Sequence, residues 1–276
     1  MDAGYLTPPP ALSHLVQTIW FARGVRAEFD RADPIVPDGC VELVFNFGAP
    51  FEHVDETGRR RGQPRDLLVG PSIRPTTAVP TGEVDLLGLR CWPGRTSAFF
   101  GESMQRLEDQ LTATSNVLGG VRGLIDRLAG LPDAGRIQGI AQHLSARAER
   151  ARQAAPPAIA HALHLIARRR GAIGIGQLAT MVGVSRRQLE RQFRDQVGLS
   201  AKQMTRISRV HHALRALQAD EHVNGSDVAA LCGYTDQAHL IRDCRELTGT
   251  TPTRLAHPEP TFSSLMRQTP RESVAR

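Results

Sequence analysis

Two sets of side chains with strong hydrogen-bonding chemistry lie about fifty residues apart in the C-terminal third of the chain. Arginine donates two parallel hydrogen bonds to guanine and glutamine pairs similarly with adenine, so such sets suit the base edges of a DNA major groove. Arginine and lysine also bind phosphates, a contact that carries no sequence information. The two sets are Arg186, Arg187, Glu190, Arg191 and Arg194, and Gln237, His239, Arg242 and Arg245.

An internal repeat places these two sets on equivalent elements. Residues 178–183 align with residues 228–233 at an offset of 50, and after the glycine the offset becomes 51. The simplest interpretation is two copies of one supersecondary unit. Further matched pairs are Leu189 with Leu240, Arg191 with Arg242, Phe193 with Cys244, Arg194 with Arg245, Gly198 with Gly249, and Ser200 with Thr251.

Each copy has the sequence pattern of a helix-turn-helix. A short helix is predicted to end at Gly183 or Gly233, where a sharp turn favours the positive φ that glycine adopts at little cost. Ser185 is then expected to cap the next helix of the first copy, and Thr235 or Asp236 that of the second. The residues expected to pack inward are Leu189 and Phe193 in the first copy, and Leu240, Cys244 and Leu247 in the second.

The segment between the two units, residues 200–217, is predicted to form one helix with its apolar residues along one side. At about 1.5 Å per residue this helix spans roughly 27 Å. Two recognition helices held by it would lie about one DNA turn apart, roughly 34 Å. We therefore expect one chain to read two adjacent major grooves.

The positive charge is concentrated in the block that carries the repeat. Residues 157–256 have 14 basic and 8 acidic side chains, whereas residues 1–156 have 17 basic and 18 acidic. The last twenty residues contribute 3 basic and 2 acidic side chains to the total net charge of +6. Such a distribution is expected when only one block meets a polyanion, although an ordinary solvated helical surface would carry it too.

The N-terminal part is predicted to be mostly β-structure. Short apolar or alternating runs separated by turn sequences indicate a small barrel or sandwich, with strands at residues 15–21, 41–47, 67–69 and 86–92. The apolar spacing then becomes helical over residues 117–128 and 137–144. These two helices either cap the sheet or form a dimer interface, and the sequence does not decide between the two.

The repeat resembles the AraC/XylS family of bacterial regulators, over about residues 158–256. The first copy is similar in Leu178-Ala179, Gly183-Val184-Ser185, Arg187-Gln188-Leu189, Arg191, Phe193 and Gly198-Leu199-Ser200. The second is similar in Val228-Ala229, Gly233-Tyr234, Asp236-Gln237-Ala238-His239, Arg242, Gly249 and Thr251-Pro252. Three packing positions depart from the family pattern, namely Ala201, Met204 and Cys244.

This resemblance implies a DNA-binding domain of about seven helices and two helix-turn-helix motifs that binds promoter DNA. Carried over by position, the candidates for base contact are Arg187, Glu190, Arg191, Gln237, His239 and Arg242. The candidates for phosphate or flanking contact are Arg186, Arg194, Lys202 and Arg245.

The N-terminal part resembles, more weakly, the cupin-like domain that precedes this module in one AraC subgroup. The similarity is carried by residues 37–43, 69–71 and 89–94. It implies a sensor or dimerisation domain, and hence an α+β protein with a small β-barrel or cupin-like domain, two following helices and an all-α domain. The candidate effector-binding residues are Trp20, Asp38, Glu42, Phe47 and Arg90, although strand core and turn residues would look the same.

These signals divide the chain into four segments. Two prolines interrupt the helical pattern at residues 151–157, which are predicted to be a linker. A cupin-like domain over residues 1–150 precedes it, and the DNA-binding domain over residues 158–256 follows it. Residues 257–276 are rich in proline, serine and threonine, and we expect a disordered tail.

Several classes of protein are disfavoured. The first residues have neither the basic start nor the apolar core of a signal peptide, and no apolar run approaches the roughly 18 residues that cross a bilayer. We therefore expect a cytoplasmic protein that does not contact membranes. Metal catalysis would need two or three histidines with a carboxylate, and only His14 and His53 lie among the strands, so we expect no metal, cofactor or catalytic residue. A redox sensor or nucleophile is one interpretation of Cys40 or Cys91, and a buried, inert thiol is the alternative.

The leading hypothesis is a transcriptional regulator that is homodimeric through its N-terminal half. Its expected partners are double-stranded promoter DNA, a small-molecule effector and, if it activates, RNA polymerase. One alternative is a small-molecule-binding or enzymatic cupin-like domain with vestigial DNA binding. Another is an architectural DNA-binding protein without sequence preference, whose binding would depend strongly on salt.

Overall fold

A computed structural model of the chain describes residues 2–25, 35–55, 57–154, 157–219 and 223–256. Within these residues, the N-terminal half forms strands that agree with the four predicted ones and add shorter ones around them. The strands are β1 Asp2–Leu6, β2 Val16–Gly24, β3 Glu42–Asn46, β4 Phe51–Val54, β5 Arg60–Gly62, β6 Asp66–Val69, β7 Thr77–Pro80, β8 Val84–Cys91 and β9 Leu111–Ala113.

The described strands form two antiparallel sheets. The larger sheet has the order β1-β2-β8-β3-β6-β9, and the smaller one has the order β5-β4-β7. Both sheets stay open, since the two outer strands of each are not neighbours. The predicted α+β class is therefore confirmed, with open antiparallel sheets in place of a closed barrel.

Alternation along β3 decides which side chains face the main core. Leu43 and Phe45 point into it and are almost completely buried. Because successive side chains of a strand point to opposite faces, Glu42, Val44 and Asn46 lie on the other side. This second face becomes important for the cavity described below.

Three helices cover the core face of the larger sheet. They are α1 Ser97–Phe100, α2 Leu124–Leu128 and α3 Asp133–Ala154. Their apolar side chains, among them Phe99, Leu124 and Ile140, belong to the same buried cluster as Leu43 and Phe45. The helices predicted after residue 117 thus cap the sheet, although only residues 124–128 of the first one are α-helical.

Helices alone make up the described part of the C-terminal block. They are α4 Pro157–Arg168, α5 Ile175–Met181, α6 Arg186–Gln196, α7 Ala201–Ala219, α8 Gly225–Leu231, α9 Gln237–Thr248 and α10 Pro252–Ala256. Proline at the start of α4 suits a first helical position, where its missing N–H would be unbonded anyway. The long helix predicted over residues 200–217 is α7.

The predicted linker is partly helical, because α3 runs to Ala154 and α4 begins at Pro157. Residues 155 and 156, and the predicted tail at 257–276, lie outside the described residues. No helix in the described ranges is both long enough and apolar enough to span a membrane.

Candidate nucleic-acid interface

The first helix-turn-helix consists of α5 and α6. The turn between them has Gly183 at φ 72°, the left-handed conformation predicted for this position. Ser185 caps α6, since its Oγ accepts a hydrogen bond from the backbone N–H of Gln188 at 3.2 Å. Leu189 and Phe193 are fully buried against the rest of the domain, so the opposite face of α6 points outward.

The second helix-turn-helix, α8 and α9, repeats this construction. Gly233 has φ 71°, and Asp236 caps α9 by accepting from the backbone N–H of His239 at 2.7 Å. Of the two cap candidates in the sequence, Asp236 is therefore the one used. Leu240 and Cys244 are buried, which leaves the outer face of α9 to solvent as in the first unit.

Most of the predicted contact residues lie on these outer faces. Two positions of α6, Glu190 and Arg194, and one of α9, His239, are half-buried. Gln237 is exposed, and its Oε1 accepts a hydrogen bond from Ser226 Oγ at 3.4 Å. The remaining predicted contact residues are exposed, namely Arg186, Arg187, Arg191, Lys202, Arg242 and Arg245.

Arg194 is the predicted phosphate contact whose environment differs most from the sequence prediction. Its Nη1 donates to Glu108 Oε2 at 3.2 Å, and Glu108 belongs to the N-terminal half of the chain. Nothing in the local sequence of α6 signals this, because the partner lies 86 residues away. The guanidinium is therefore engaged in an interdomain ion pair.

His239 also has a structural contact. Its ring packs edge-on against Tyr234, with ring centroids 5.2 Å apart. Tyr234 is itself buried beneath the guanidinium of Arg209, which lies 4.9 Å from its ring centroid. The imidazole stays partly accessible, so His239 remains a candidate for base contact with a defined orientation.

Ion pairs that the sequence analysis missed fix α9 on α7. Arg206 donates to the buried carboxylate of Asp243 at 2.9 Å and also pairs with Glu246. Arg209, one turn along, lies 3.9 Å from the other oxygen of Asp243. The signal in the sequence was an acidic residue at an inward position of α9, opposite two arginines of the connecting helix.

The effector candidates converge on a cavity of about 90 Å³ in the N-terminal half. Trp20, Asp38, Glu42 and Arg90 all line it. Phe47 does not, and this prediction is corrected: Phe47 packs against the main core, under the guanidinium of Arg136, 4.0 Å from its ring centroid. The reason is alternation, since the even-numbered residues before it on β3 face the cavity.

An ion-pair cluster centred on Arg90 lies in the wall of this cavity. Arg90 is almost fully buried and donates to Asp38 at 3.0 Å and to Glu42 at 2.8 Å. Burial acts to raise the pKa of Asp38, but the charge of Arg90 and the Cys40 amide hold it below its ordinary value. Burial raises the pKa of Glu42 against the opposing charge of Arg90.

The cysteines near this cluster are poor nucleophiles. Burial, followed by the charge of Asp38, raises the pKa of Cys40 well above its ordinary value. Burial raises the pKa of Cys91 to about 12. Because the thiolate is the reactive form, the raised pKa values favour the interpretation of both cysteines as inert side chains. The described residues contain no group of three or more His, Cys, Asp or Glu suited to hold a metal ion.

A loop of the cavity wall touches the DNA-binding domain directly. His211 on α7 lies with Nε2 2.8 Å from the carbonyl oxygen of Pro37, which also lines the cavity. A Cβ on Gly39 would come within 2.5 Å of the sulfur of Met204 on the same helix. Residues 37–40, named here the cavity loop, therefore contact the effector candidates on one side and α7 on the other.

Two family models match separate parts of the chain. Residues 178–257 match a family model described as a helix-turn-helix domain, and residues 5–113 match a domain of unknown function (DUF6597). No curated protein matches the chain.

Among solved structures, the chain is similar to ToxT from Vibrio cholerae O395, with 8% identity, 86% of this chain and 96% of that chain covered, and a TM-score of 0.48. A second similar structure is unsaturated fatty acid bound wild-type ToxT from Vibrio cholerae strain SCE256, with 11% identity, coverage of 88% and 94%, and a TM-score of 0.45. Similarity at this level carries no argument about ligand or target.

The repeated α5–α6 and α8–α9 units, each with a capped and outward-facing second helix, define a tandem helix-turn-helix DNA-binding protein. The match over residues 178–257 and the two-unit construction identify the C-terminal domain as an AraC-type helix-turn-helix domain, as the sequence resemblance predicted.

Proposed function

We propose that the chain is a sequence-specific transcriptional regulator that reads two adjacent major grooves with α6 and α9. The observation that carries this proposal is the duplication of one construction: the same glycine turn, the same cap position and the same exposed polar face in both units. A solvated helical surface has no reason to repeat all three. Arg187, Arg191, Gln237 and Arg242 are the residues proposed to contact bases, with Glu190 and His239 beside them.

The proposed role also suggests phosphate-contacting residues, a location and protein partners. Arg186, Lys202 and Arg245 are exposed beside the recognition helices and are proposed to contact phosphates. The chain is expected to act in the cytoplasm as a homodimer through its N-terminal half, and to contact RNA polymerase if it activates transcription. It has no proposed catalytic activity.

The test begins with selection of bound fragments from genomic DNA by the full chain. On the selected site, Arg242→Ala is expected to cost about 1–3 kcal/mol and to relax preference at one base pair. Arg187→Ala is expected to do the same at a base pair in the neighbouring groove. Arg150→Ala is the matched control, because it removes the same charge from an exposed position of α3.

Two outcomes would contradict the proposal in different ways. If Arg242→Ala weakened binding equally on selected and random DNA, the side chain would be a phosphate contact. If selection enriched no site, sequence-specific regulation would be wrong, and strongly salt-dependent binding would favour the architectural alternative.

We further propose that a small effector in the N-terminal cavity modulates DNA binding. The supporting contacts are those of the cavity loop, which joins the effector candidates to α7 through Pro37 and Gly39. Because α7 connects both helix-turn-helix units, a ligand that moved this loop would act on their relative placement. DNA affinity measured with and without a bound effector tests this, and identical affinities would contradict it.

A further inference from the structure

The cavity of the N-terminal half combines an apolar wall with the charged cluster around Arg90. The wall includes Trp20, Val44, Phe51 and Leu86. Trp20 pairs across the sheet with Gly88, and a Cβ on Gly88 would lie 2.0 Å from the indole ring. Glycine at this position therefore lets the indole lie across β8, where it forms part of the cavity surface.

The cluster holds two carboxylates and one guanidinium. Arg90 is hydrogen-bonded to both Asp38 and Glu42, so with both acids ionised the cluster carries one negative charge in excess. The neighbouring basic groups do not remove this excess. Arg74, at another part of the wall, pairs with Asp109 at 3.6 Å, and burial lowers the pKa of His211 behind the cavity loop.

An excess buried charge is unfavourable unless something compensates it. Burial raises the pKa of Glu42 against the opposing charge of Arg90, the direction expected for a carboxylate whose charge is incompletely compensated. A ligand with a positive charge would supply the missing compensation. An anion would instead have to displace a carboxylate from Arg90.

The aromatic side chains and the volume of the cavity favour a small organic cation as the ligand. Aromatic side chains such as Trp20 and Phe51 attract organic cations, and the apolar wall favours carbon over water around the charge. The volume of about 90 Å³ is smaller than the roughly 150 Å³ cavity that holds benzene, so only a few non-hydrogen atoms fit.

We propose that this cavity binds a small alkylammonium ion, with its charge at Asp38 and Glu42 and its carbon atoms against Trp20. The inference rests on the proposed function, because it names the chemical class of the effector. It makes a separate claim, however, since ligand binding is measurable without DNA.

The experiment titrates the full chain by calorimetry with three compounds of one carbon skeleton, isobutylammonium, isobutanol and isobutyrate. Only isobutylammonium is expected to bind. Glu42→Gln removes the excess charge while keeping the shape, and is expected to weaken binding by at least about tenfold. Glu52→Gln is the matched control, because Glu52 pairs with Arg60 at 3.1 Å outside the cavity.

Each outcome decides the proposal. Equal binding of isobutanol, a preference for isobutyrate, binding of none of the three, or unchanged affinity in folded Glu42→Gln would overturn it. If that variant fails to fold, the three-compound series on the unaltered chain decides alone. DNA binding by the same samples separates the two claims. Site-specific DNA binding without isobutylammonium binding overturns only this inference. Isobutylammonium binding without site-specific DNA binding overturns only the proposed function.

Discussion

The two helix-turn-helix units share a backbone construction but are held in place by different parts of the molecule. The first is fixed from outside: Arg194 pairs with Glu108, and a Cβ on Gly198 would lie 2.5 Å from Pro71. The second is fixed from within its own domain, where Arg206 and neighbouring arginines of α7 hold Asp243.

This difference shows where the two copies have diverged. The turns and caps are equivalent, whereas the positions that face other elements are not. Position 243 carries a buried carboxylate with ionic partners, and its equivalent in the first unit is the half-buried Gln192. The first unit is therefore linked directly to the N-terminal half, whereas the second is linked to it through α7, which contacts the cavity loop.

The largest expected difference between the units is in their cores. Phe193→Ala removes a fully buried aromatic ring and is expected to lower the free energy of unfolding by about 3–5 kcal/mol. Cys244→Ala at the equivalent position removes one sulfur atom, with an expected loss of about 1 kcal/mol. Denaturant unfolding of the two variants measures both, and equal losses would mean that the two cores are packed alike.

The next effect concerns the ion pairs of the second unit. Asp243→Asn leaves Arg206 and Arg209 without their shared carboxylate, and because Arg206 is partly exposed we expect a loss of about 2 kcal/mol rather than the full cost of a buried pair. Gln192→Ala, the matched change in the first unit, is expected to cost less than about 0.5 kcal/mol. If Gln192→Ala lowered the free energy of unfolding as much as Asp243→Asn, the first unit would also be held by contacts within its own domain, which contradicts this interpretation.

Loss of either helix cap should lower stability by the same amount if the two units are equivalent where they face DNA. Ser185→Ala and Asp236→Ala each remove one cap hydrogen bond and are expected to cost about 1 kcal/mol. Thermal unfolding under identical conditions compares them. A cost confined to one variant would show that the duplicated construction is functional in only one copy.

The local features of the site could be predicted from the sequence, because they depend on neighbours in the chain. Glycine at 183 and 233, the caps at Ser185 and Asp236, and the buried Phe193 all follow from turn chemistry and helical period. The interdomain partner Glu108 could not be predicted, since an ion pair between distant segments leaves no local pattern. Phe47 does not line the cavity, because the alternation along β3 turns its side chain toward the main core.

A change with little effect on stability gives the most direct test of coupling between the first unit and the N-terminal half. Glu108→Gln breaks a partly exposed pair, so the free energy of unfolding should change by less than about 1 kcal/mol. It also releases Arg194 beside the DNA-facing side of α6. An additional phosphate contact would raise DNA affinity and steepen its salt dependence by about one unit of slope.

Two variants show whether that gain comes from Arg194. The double variant Glu108→Gln with Arg194→Ala should lose the added salt dependence, because the released guanidinium is then absent. Glu102→Gln, which breaks the exposed pair with Arg106 within the N-terminal half, removes the same charge and should leave DNA affinity unchanged. If Glu102→Gln raised affinity as much as Glu108→Gln, the effect would be general charge repulsion from DNA, and the first unit would be no more coupled to the N-terminal half than the second.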